Sequence, residues 1–460
     1  MIAQIAVENT LYAFDMLFSY EIPVGLESAV IRGVRVVVPF GRGNRKRIGV
    51  VFGVGSELPS GKIKPIDFVI DSEPVLSGEL MDLCVWIREN TFCTYYDAFR
   101  AILPPGLGFS LKSGFKLAEE FSGELTDKER GLLRLLKNAD KNAFSALISG
   151  NSAIVKSLAE KGAIIEENVA KRRIGDESVT MLRLLDPEGL DKPTAKQRAV
   201  IGFLEAAEAA SLHEVCYECA VTPAVVKRLV EKNVVERYEN VVFRTESGVV
   251  AAESPESIVF SPKQQEIFDG LLTLMRCGEP RCALLRGVTG SGKTSVFIRL
   301  INEALKRGQS AIMLVPEISL TPQMVNKFRA LFGNEVAVMH SSLSVGERAD
   351  EYRRIREGRA RIVIGTRSAV FAPVENLGVI VIDEEGEGTY KSESSPRYHA
   401  RDIAKQRCFA HNALLLLASA TPSLESCYFA KTGRYTLFEI DERYNNAVLP
   451  EVYIINMQEE

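Results

Sequence analysis

The sequence predicts a multidomain α/β protein with a β-rich N-terminal domain, a helical middle region and a doubly wound domain built on a parallel sheet. Its 460 residues are enough for three or more separate hydrophobic cores. Two runs of β-branched residues lie within 33–56. From about residue 257, apolar strand patterns alternate with amphipathic helix patterns, as in domains whose parallel sheet is covered by helices.

The composition is that of a globular protein, with 46% hydrophobic and 25% charged residues. A formal net charge of −4 argues against a uniformly basic nucleic-acid binder, although a local basic patch is enough for phosphate contacts. No apolar run approaches the length of a membrane span, and residues 1–5 lack the basic start of a signal peptide. We therefore expect a cytoplasmic protein with no membrane partner.

The eight cysteines are scattered along the chain, which favours reduced thiols over a disulfide framework. Cys216 and Cys219 have CxxC spacing, and His213 is close in sequence. A tetrahedral zinc site needs four ligands, and no second pair lies nearby. We interpret the two cysteines as half-buried helix residues.

The first element, residues 1–105, is predicted to be a β-rich domain. "GVRVVVPFG" (33–41) and "RIGVVFGVGS" (47–56) are strand patterns on either side of "RGNRKR" (42–47), a predicted hairpin tip. Its basic residues either contact phosphate or only keep a sheet edge in solution. "LPPGLG" then indicates a linker, which we place at 106–123.

The second element, residues 124–250, contains a repeat whose copies span about 124–175 and 192–246. Each copy has a helix pattern, then a second helix with Val-Lys-x-Leu-x-Glu-Lys, then a β-type tail. Helices followed by a hairpin are the order of a winged helix. The copies are therefore predicted to be tandem winged helices, which either bind DNA or serve as modules for protein contacts.

The third element contains a phosphate-binding motif, "GVTGSGKT" (287–294), placed between an apolar strand and a helix pattern. Its glycines let backbone N–H groups face a polyphosphate at the positive end of the following helix. Lys293 would reach the β and γ phosphates, and Thr294 would offer its hydroxyl to Mg²⁺. The predicted nucleotide-binding residues are Gly287, Val288, Thr289, Gly290, Ser291, Gly292, Lys293 and Thr294.

A second apolar strand, "VIVIDEE" (379–385), ends in carboxylates. Asp383 is placed to hold Mg²⁺ directly or through water, and Glu384 is the candidate general base for the attacking water. With Lys293, these two residues are the predicted catalytic set. They establish a nucleotide-binding domain, and the process that it drives has to come from other motifs.

"LVPEISLTPQ" (314–323), "GTRSAVFAP" (365–373) and "SATPS" (419–423) surround these two motifs, and the set resembles lobe 1 of superfamily 2 helicases. Together with "PRYHARD" and "VRVVVPFGRGNRKRIGVV", the motifs resemble the family of primosomal replication-restart helicases. The resemblance implies an ATP- and Mg²⁺-dependent 3′–5′ DNA helicase, with a RecA-like lobe over 257–440. It also implies that the protein recognises stalled or forked DNA with a leading-strand 3′ end and starts primosome assembly.

The same resemblance implies further partners and site residues. The partners are single-stranded DNA, other primosome proteins and single-strand-binding proteins. Gln264 would contact adenine, while Ser419 and Thr421 would couple the nucleotide state to DNA. The implied DNA-contacting residues are Ser19, Tyr20, Phe40, Arg42, Arg45, Lys46, Arg47, Arg367, Tyr390, Lys391, Arg397, Tyr398 and His399.

The chain departs from the family pattern at two positions. Gly386 stands where the family's acidic motif has His, and Ser19 stands where the family has Asp, with Asp15 as a nearby substitute. We interpret 441–460 as the beginning of a second lobe and expect a shortened chain that hydrolyses ATP poorly by itself. The family's zinc-binding cysteines are expected beyond this sequence.

Two other functions stay open at this point. A fork-binding scaffold whose ATP domain no longer turns over would fit Gly386 and Ser19. A translocase on double-stranded DNA would fit the motor motifs, although the N-terminal β-rich domain argues against it.

Overall fold

The computed structural model divides the chain into two compact units, residues 1–173 and 174–460. The described residues are 1–56, 63–103, 109–118, 121, 123, 125–139, 141–172, 178–185, 193–207, 209–241, 251–288 and 290–441. Among them no helix is long and apolar enough to cross a membrane.

The first unit opens with a mostly antiparallel, six-stranded sheet in the order β5-β2-β1-β4-β3-β6. The strands are β1 (Ile2–Val7), β2 (Phe18–Glu21), β3 (Arg35–Phe40), β4 (Arg45–Gly55), β5 (Lys64–Pro65) and β6 (Phe68–Val69). Two helices follow, α1 (Gly78–Asn90) and α2 (Tyr95–Ile102), each capped by the hydroxyl of the residue before it. The predicted β-rich fold of this region is confirmed.

The predicted hairpin is also present, but its tip is shorter than expected. Phe40 pairs with Arg45, so only residues 41–44 turn the chain. Gly41 and Asn44 have φ of 69° and 47°, in the left-handed region that Gly and Asn tolerate best. Arg45, Lys46 and Arg47 are therefore strand residues, with side chains on alternating faces.

The middle region contains two modules with the same plan, in which one strand precedes the helices and one follows them. The first module has β7 (Phe109–Leu117), α3 (Asp127–Asn138), α4 (Lys141–Gly150), α5 (Ser152–Glu160) and β8 (Ile164–Arg172). The second has β9 (Ser178–Leu184), α6 (Ala195–Ala207), β10 (Ala209–Ser211), α7 (Leu212–Glu218), α8 (Pro223–Glu231) and β11 (Val235–Val241). The first module belongs to the first unit and the second module to the second unit.

Two predictions about this region need correction. Residues 109–117, placed in a linker, form β7, which pairs antiparallel with β8 along its whole length. In the second module β9 likewise precedes the helices and lies between β10 and β11. In each module a strand that precedes the helices thus pairs with a strand that follows them, β7 with β8 and β9 with β11. The sequence pattern predicted only the strand after the helices. Classification as winged helices stays a prediction.

The second unit ends in a domain built on a seven-stranded parallel sheet in the order β14-β15-β13-β16-β17-β12-β18. Its strands are β12 (Arg281–Gly287), β13 (Ser310–Leu314), β14 (Val336–Met339), β15 (Ile362–Gly365), β16 (Leu377–Asp383), β17 (Leu414–Ser419) and β18 (Thr436–Ile440). Its helices are α9 (Pro262–Arg276), α10 (Lys293–Lys306), α11 (Pro322–Phe332), α12 (Val345–Arg356), α13 (Ala400–His411) and α14 (Leu424–Lys431). The predicted RecA-like, parallel-sheet fold is confirmed.

Burial explains why this domain could be predicted from apolar runs. Every residue of β13 and β17 is buried, and so are all residues of β16 before Asp383. Strands covered on both faces have no polar alternation. β16 and β17 lie side by side, with Asp383 opposite Ala418, so the polar residues that follow both strands meet at one edge of the sheet.

Candidate functional site

The phosphate-binding motif forms the turn from β12 into α10, at the carboxyl edge of the parallel sheet. Gly290 and Gly292 have φ of 79° and 81°, a conformation that other residues adopt at a cost. A Cβ at Gly287 would lie 2.8 Å from Ser291 Oγ, so a larger residue there would have to displace the serine hydroxyl. Thr289 lies outside the described residues. The turn places the amino end of α10 where it can receive an anion.

Lys293 begins α10, and its side chain folds back into the turn. It is buried, and its Nζ donates to the carbonyl oxygen of Gly287 at 2.7 Å. The same Nζ lies 3.9 Å from Glu384 Oε1. Lys293 therefore bridges the two predicted motifs. Thr294 follows it with a half-exposed side chain, in the first turn of the helix.

Asp383 ends β16 in an environment that opposes its ionisation. Burial, together with the charge of Glu384, raises the pKa of Asp383 to about 6, while Lys293 acts in the opposite direction. A bound cation would remove this penalty. Carboxylate and hydroxyl oxygens are the ligands that Mg²⁺ prefers, so Asp383 and Thr294 suit a magnesium site.

Gln264 lies behind the turn and contacts Ser291 within it. The Gln264 amide donates to the Ser291 carbonyl oxygen at 2.9 Å, and its Oε1 accepts from the Ser261 N–H at 2.9 Å in a capping box of α9. The Ser291 hydroxyl oxygen is buried and has no hydrogen-bond partner among the described residues. Gln264 thus braces the turn, and the contact with adenine stays a prediction.

Ser419 connects the acidic motif to the next strand. Its hydroxyl donates to Glu384 Oε2 at 2.8 Å and accepts from the Thr421 N–H at 3.1 Å. Glu384 itself has φ of 46°, and its N–H donates to Asp383 Oδ1 at 3.1 Å. The two residues predicted to couple nucleotide state to DNA are thus joined by hydrogen bonds to the candidate general base.

Glu385 forms a network that the sequence reasoning missed. Its carboxylate is fully buried and accepts from the Arg401 guanidinium at 3.2 Å and from the hydroxyl of Ser426 at 3.0 Å. It also accepts from both the N–H and the hydroxyl of Ser423 at 2.7 and 3.2 Å. The sequence did contain a signal for it, because Glu385 is a third acidic residue directly after the two that were predicted to be catalytic. The network ties β16 to the amino ends of α13 and α14.

Gly386 has a steric reason to be glycine in this structure. A Cβ at this position would lie 2.9 Å from the Thr421 carbonyl oxygen, a backbone atom that cannot move alone. The loop after β17 therefore approaches the acidic motif more closely than a histidine at 386 would allow. Gly388, two residues later, faces open space.

The segment from Tyr390 to His399 corrects one prediction. Tyr390 and Tyr398 were expected to offer rings for stacking on bases, but both are buried. The Tyr390 hydroxyl donates to the Asp383 carbonyl oxygen at 2.6 Å, and the Tyr398 ring packs edge-on against Phe371 at 4.9 Å. In this arrangement Tyr390 supports the acidic motif and neither ring is exposed for stacking on a base, while a role of either residue as a sensor of DNA stays a prediction.

Of the polar residues in this segment and beside it, some are hydrogen-bonded within the protein and others are exposed to solvent. Arg367 donates to the carbonyl oxygens of Thr389 and Lys391 at 3.1 and 2.7 Å, so its guanidinium fixes the segment. His399 accepts from the Arg401 N–H at 3.2 Å as the cap of α13. The side chains of Lys391 and Arg397 are exposed, and these two remain candidates for phosphate contact.

The N-terminal candidates also divide in this way. Tyr20 is buried, with its hydroxyl donating to the Pro39 carbonyl oxygen at 3.2 Å, so its ring is not available for stacking. Lys46 is paired with Asp67. Arg42 and Arg45 are exposed, with no ion pair among the described residues.

The other N-terminal candidates have partners within the domain. Ser19 Oγ accepts from the Gln4 amide at 3.1 Å, and Phe40 lies under the Arg47 guanidinium at 4.8 Å. Asp15, the suggested substitute for the family's aspartate, is occupied by Arg88 and the Tyr95 N–H at 3.1 and 3.3 Å. The contacts of Asp15 therefore do not support the idea that it replaces the family's aspartate.

Comparison with known proteins finds a match for the N-terminal β-rich domain and another for the domain that contains the phosphate-binding motif. Residues 4–104 match the family model described as the 3′ DNA-binding domain of PriA, and residues 261–428 match the DEAD/DEAH box helicase model. The replication restart protein PriA of Bacillus subtilis is 35% identical over 100% of this chain and 58% of its own length. That of Synechocystis is 33% identical over 96% of this chain and 55% of its own length. The chain thus spans little more than half of these relatives.

Proposed function

We propose that this chain, which belongs to the PriA family of replication restart proteins, supplies the fork-recognition and ATP-binding parts of an ATP-dependent DNA helicase. The observation that supports this proposal best is the contact between Lys293 Nζ and Glu384 Oε1 at 3.9 Å, with Glu384 held by Ser419. Lys293, which would bind the phosphates, therefore lies beside Glu384, which would activate the water. Ser419 links Glu384 to the neighbouring strand at the same edge of the sheet.

In the proposed reaction the phosphate-binding turn receives the polyphosphate of ATP through its backbone N–H groups and the amino end of α10. Lys293 exchanges the Gly287 carbonyl oxygen for phosphate oxygens. Thr294 and Asp383 would hold Mg²⁺, which would supply positive charge to offset that of the phosphates. Glu384 orients the attacking water and accepts its proton.

Coupling to DNA would run through the hydrogen bonds around the acidic motif. A change in charge near Glu384 would alter its hydrogen bond with Ser419 and, through Ser419, the hydrogen bond from the Thr421 N–H. Glu385 connects the same motif to Arg401 at the start of α13 and to the serines at the start of α14. Movement of the exposed cations Lys391 and Arg397 is thereby linked to the nucleotide site.

Finer features of the function are part of the proposal. We infer 3′–5′ movement, recognition of a leading-strand 3′ end, recruitment of other primosome and single-strand-binding proteins, and a zinc site formed by other residues of the full-length relatives. The intact hydrogen bond between Ser419 and Glu384 favours a hydrolysing motor over a scaffold with an inactive ATP domain.

The test is ATP hydrolysis by the 460-residue chain with and without a fork that carries a leading-strand 3′ end, beside Lys293→Ala and Glu384→Gln. We expect fork-stimulated turnover that both substitutions abolish, while fork binding stays at the wild-type level. Equal turnover in the wild type and in Lys293→Ala would contradict the proposed site. Lys263→Ala is the control, because this exposed lysine pairs with Glu266 on the surface of α9.

A further inference from the structure

One edge of the N-terminal sheet brings two loops together. Val7 of β1 lies opposite Gly49 of β4, and Gly49 lies opposite Val36 of β3. Because these strands are antiparallel neighbours, the segment between β1 and β2 and the turn between β3 and β4 leave the sheet at the same edge. The Arg47 guanidinium joins them by donating to the carbonyl oxygens of Glu8 and Asn9 at 3.1 and 3.2 Å.

This edge exposes a group of large apolar side chains that the proposed fork recognition has not used. Phe14 is 71% exposed and Phe92 is 90% exposed, and Leu11, Tyr12 and Met16 are also exposed. The rings of Tyr12 and Phe92 are in contact, with centroids 6.1 Å apart. Single exposed apolar residues are ordinary, but four of them in one short loop, one of which contacts a fifth in another loop, indicate a binding surface. We call Leu11, Tyr12, Phe14, Met16 and Phe92 the edge patch.

The edge patch is held in place by the residue in its middle. Asp15 has a buried carboxylate that accepts from Arg88 Nε at 3.1 Å and from the Tyr95 N–H at 3.3 Å. Arg88 in turn lies over the Tyr12 ring at 5.8 Å. These contacts fix the backbone at Asp15, and the residues on either side of it, Phe14 and Met16, are exposed to solvent. A surface that is already ordered loses less conformational entropy on binding.

Two exposed cations lie at the same end of the sheet as the edge patch. Arg42 in the turn between β3 and β4 and Arg45 at the start of β4 are exposed and have no ion pair among the described residues. The two acids of the segment between β1 and β2 already have partners, Asp15 as described and Glu8 through its Oε1, which accepts from the Ile48 N–H at 3.0 Å. Exposed aromatic rings next to unpaired cations are the combination that binds single-stranded nucleic acid, since rings stack on bases and cations contact phosphates.

We propose that the edge patch stacks on unpaired bases of the single-stranded DNA at a fork, with Arg42 and Arg45 on the adjacent phosphates. This inference rests on the proposed function and adds to it a base-stacking surface separate from Tyr20, Tyr390 and Tyr398, which are buried. Phe14 and Phe92 provide the rings, and the contact is independent of base sequence because every base has a π face.

The experiment compares two forks that carry the same single-stranded gap, one with normal nucleotides and one with abasic nucleotides that keep the phosphates. Affinities are measured for the wild-type chain, for Phe14→Ala with Phe92→Ala, and for Phe409→Ala. Phe409 is the matched control, because it is 67% exposed but lies on α13 in the second unit. Sedimentation of each variant without DNA reports self-association.

We expect the double variant to bind the normal fork about tenfold more weakly than the wild type, and the abasic fork equally well. Phe409→Ala should bind both forks like the wild type. If the double variant matches the wild type on both forks, the inference is overturned while the proposed function stands. If it changes sedimentation without changing affinity, the edge patch covers a second copy and the inference is again wrong. Failure of the wild type to bind either fork would overturn both proposals.

Discussion

Asp383 shows how one buried carboxyl group can report on the occupancy of the nucleotide site. Its pKa is raised from 3.8 to about 6 because burial and the neighbouring Glu384 oppose its charge. The folded protein therefore holds a proton that the unfolded chain releases between these values. Stability from this group is present at low pH and is lost as pH rises through about 6.

This sign leads to a prediction for Asp383→Asn. At pH 8 without Mg²⁺ the variant should be more stable than the wild type, by about 3 kcal/mol, because it removes an unfavourable buried charge. At pH 5 the difference should shrink. Thermal unfolding at the two pH values measures it, with the exposed Asp269→Asn as control. Added Mg²⁺ should raise the unfolding temperature of the wild type at pH 8 and leave Asp383→Asn unchanged. A constant difference across pH would show that Asp383 does not titrate between pH 5 and pH 8.

A second prediction at the residue scale concerns Gly386. In Gly386→Ala the new Cβ meets the Thr421 carbonyl oxygen, which pushes the loop after β17 away from the acidic motif. We expect the Ser419–Glu384 hydrogen bond to weaken and fork-stimulated ATP turnover to fall about tenfold, with ATP affinity nearly unchanged. Steady-state kinetics with and without fork DNA separate the two effects. Gly388→Ala is the matched control, because nothing lies within 4 Å of its Cβ position. Equal kinetics in the two variants would refute the steric explanation.

Among the elements, the amino ends of α13 and α14 depend on one carboxylate. Glu385 is 2% exposed and satisfies Arg401, Ser423 and Ser426 together, although these residues are far apart in sequence. A buried carboxylate is tolerated only where donors of this kind surround it. Its position makes it a positioning residue, since it lies next to Glu384 but its bonds lead away from the nucleotide.

We therefore predict that Glu385→Gln destabilises the second unit by about 3 kcal/mol, because it leaves the Arg401 guanidinium buried without its counter-charge. Chemical unfolding monitored by circular dichroism gives this value. A purely structural role predicts lost stability alone, whereas a positioning role also predicts that fork DNA stimulates the remaining ATPase activity less. The exposed Glu393→Gln should change neither quantity. Unchanged stability in Glu385→Gln would mean that the network is replaced by water.

On the scale of the whole molecule, recognition of DNA by a chain with a net charge of −4 has to come from local cations. Several basic residues are already engaged within their own unit, including Lys46, Arg47, Arg88 and Arg367. Among the cations predicted to contact DNA, Arg42, Arg45, Lys391 and Arg397 are exposed and have no ion pair with another described residue. Affinity for a fork should therefore depend on a small number of phosphate contacts.

The corresponding prediction is a change in salt dependence. Arg42→Ala with Arg45→Ala should weaken fork binding at every salt concentration and reduce the slope of log affinity against log salt by about two. A titration of fork binding from low to high salt measures this slope. Lys46→Ala, which removes a cation already paired with Asp67, should change it less. An unchanged slope in the double variant would mean that the turn between β3 and β4 does not touch phosphate.

The sequence by itself determined the parallel sheet, the phosphate-binding turn and the acidic strand end, because each depends on local patterns: continuous apolar runs, glycine spacing and carboxylates after a strand. The short edge strands β14 and β18 were missed, since four or five residues at an edge carry little pattern. Only the tertiary structure decided that β7 pairs with β8, that Glu385 binds Arg401, and that Tyr20, Tyr390 and Tyr398 are buried. Strand pairing and burial depend on residues distant in the chain, so a tyrosine in a motif has the same local signature whether its ring faces solvent or the core.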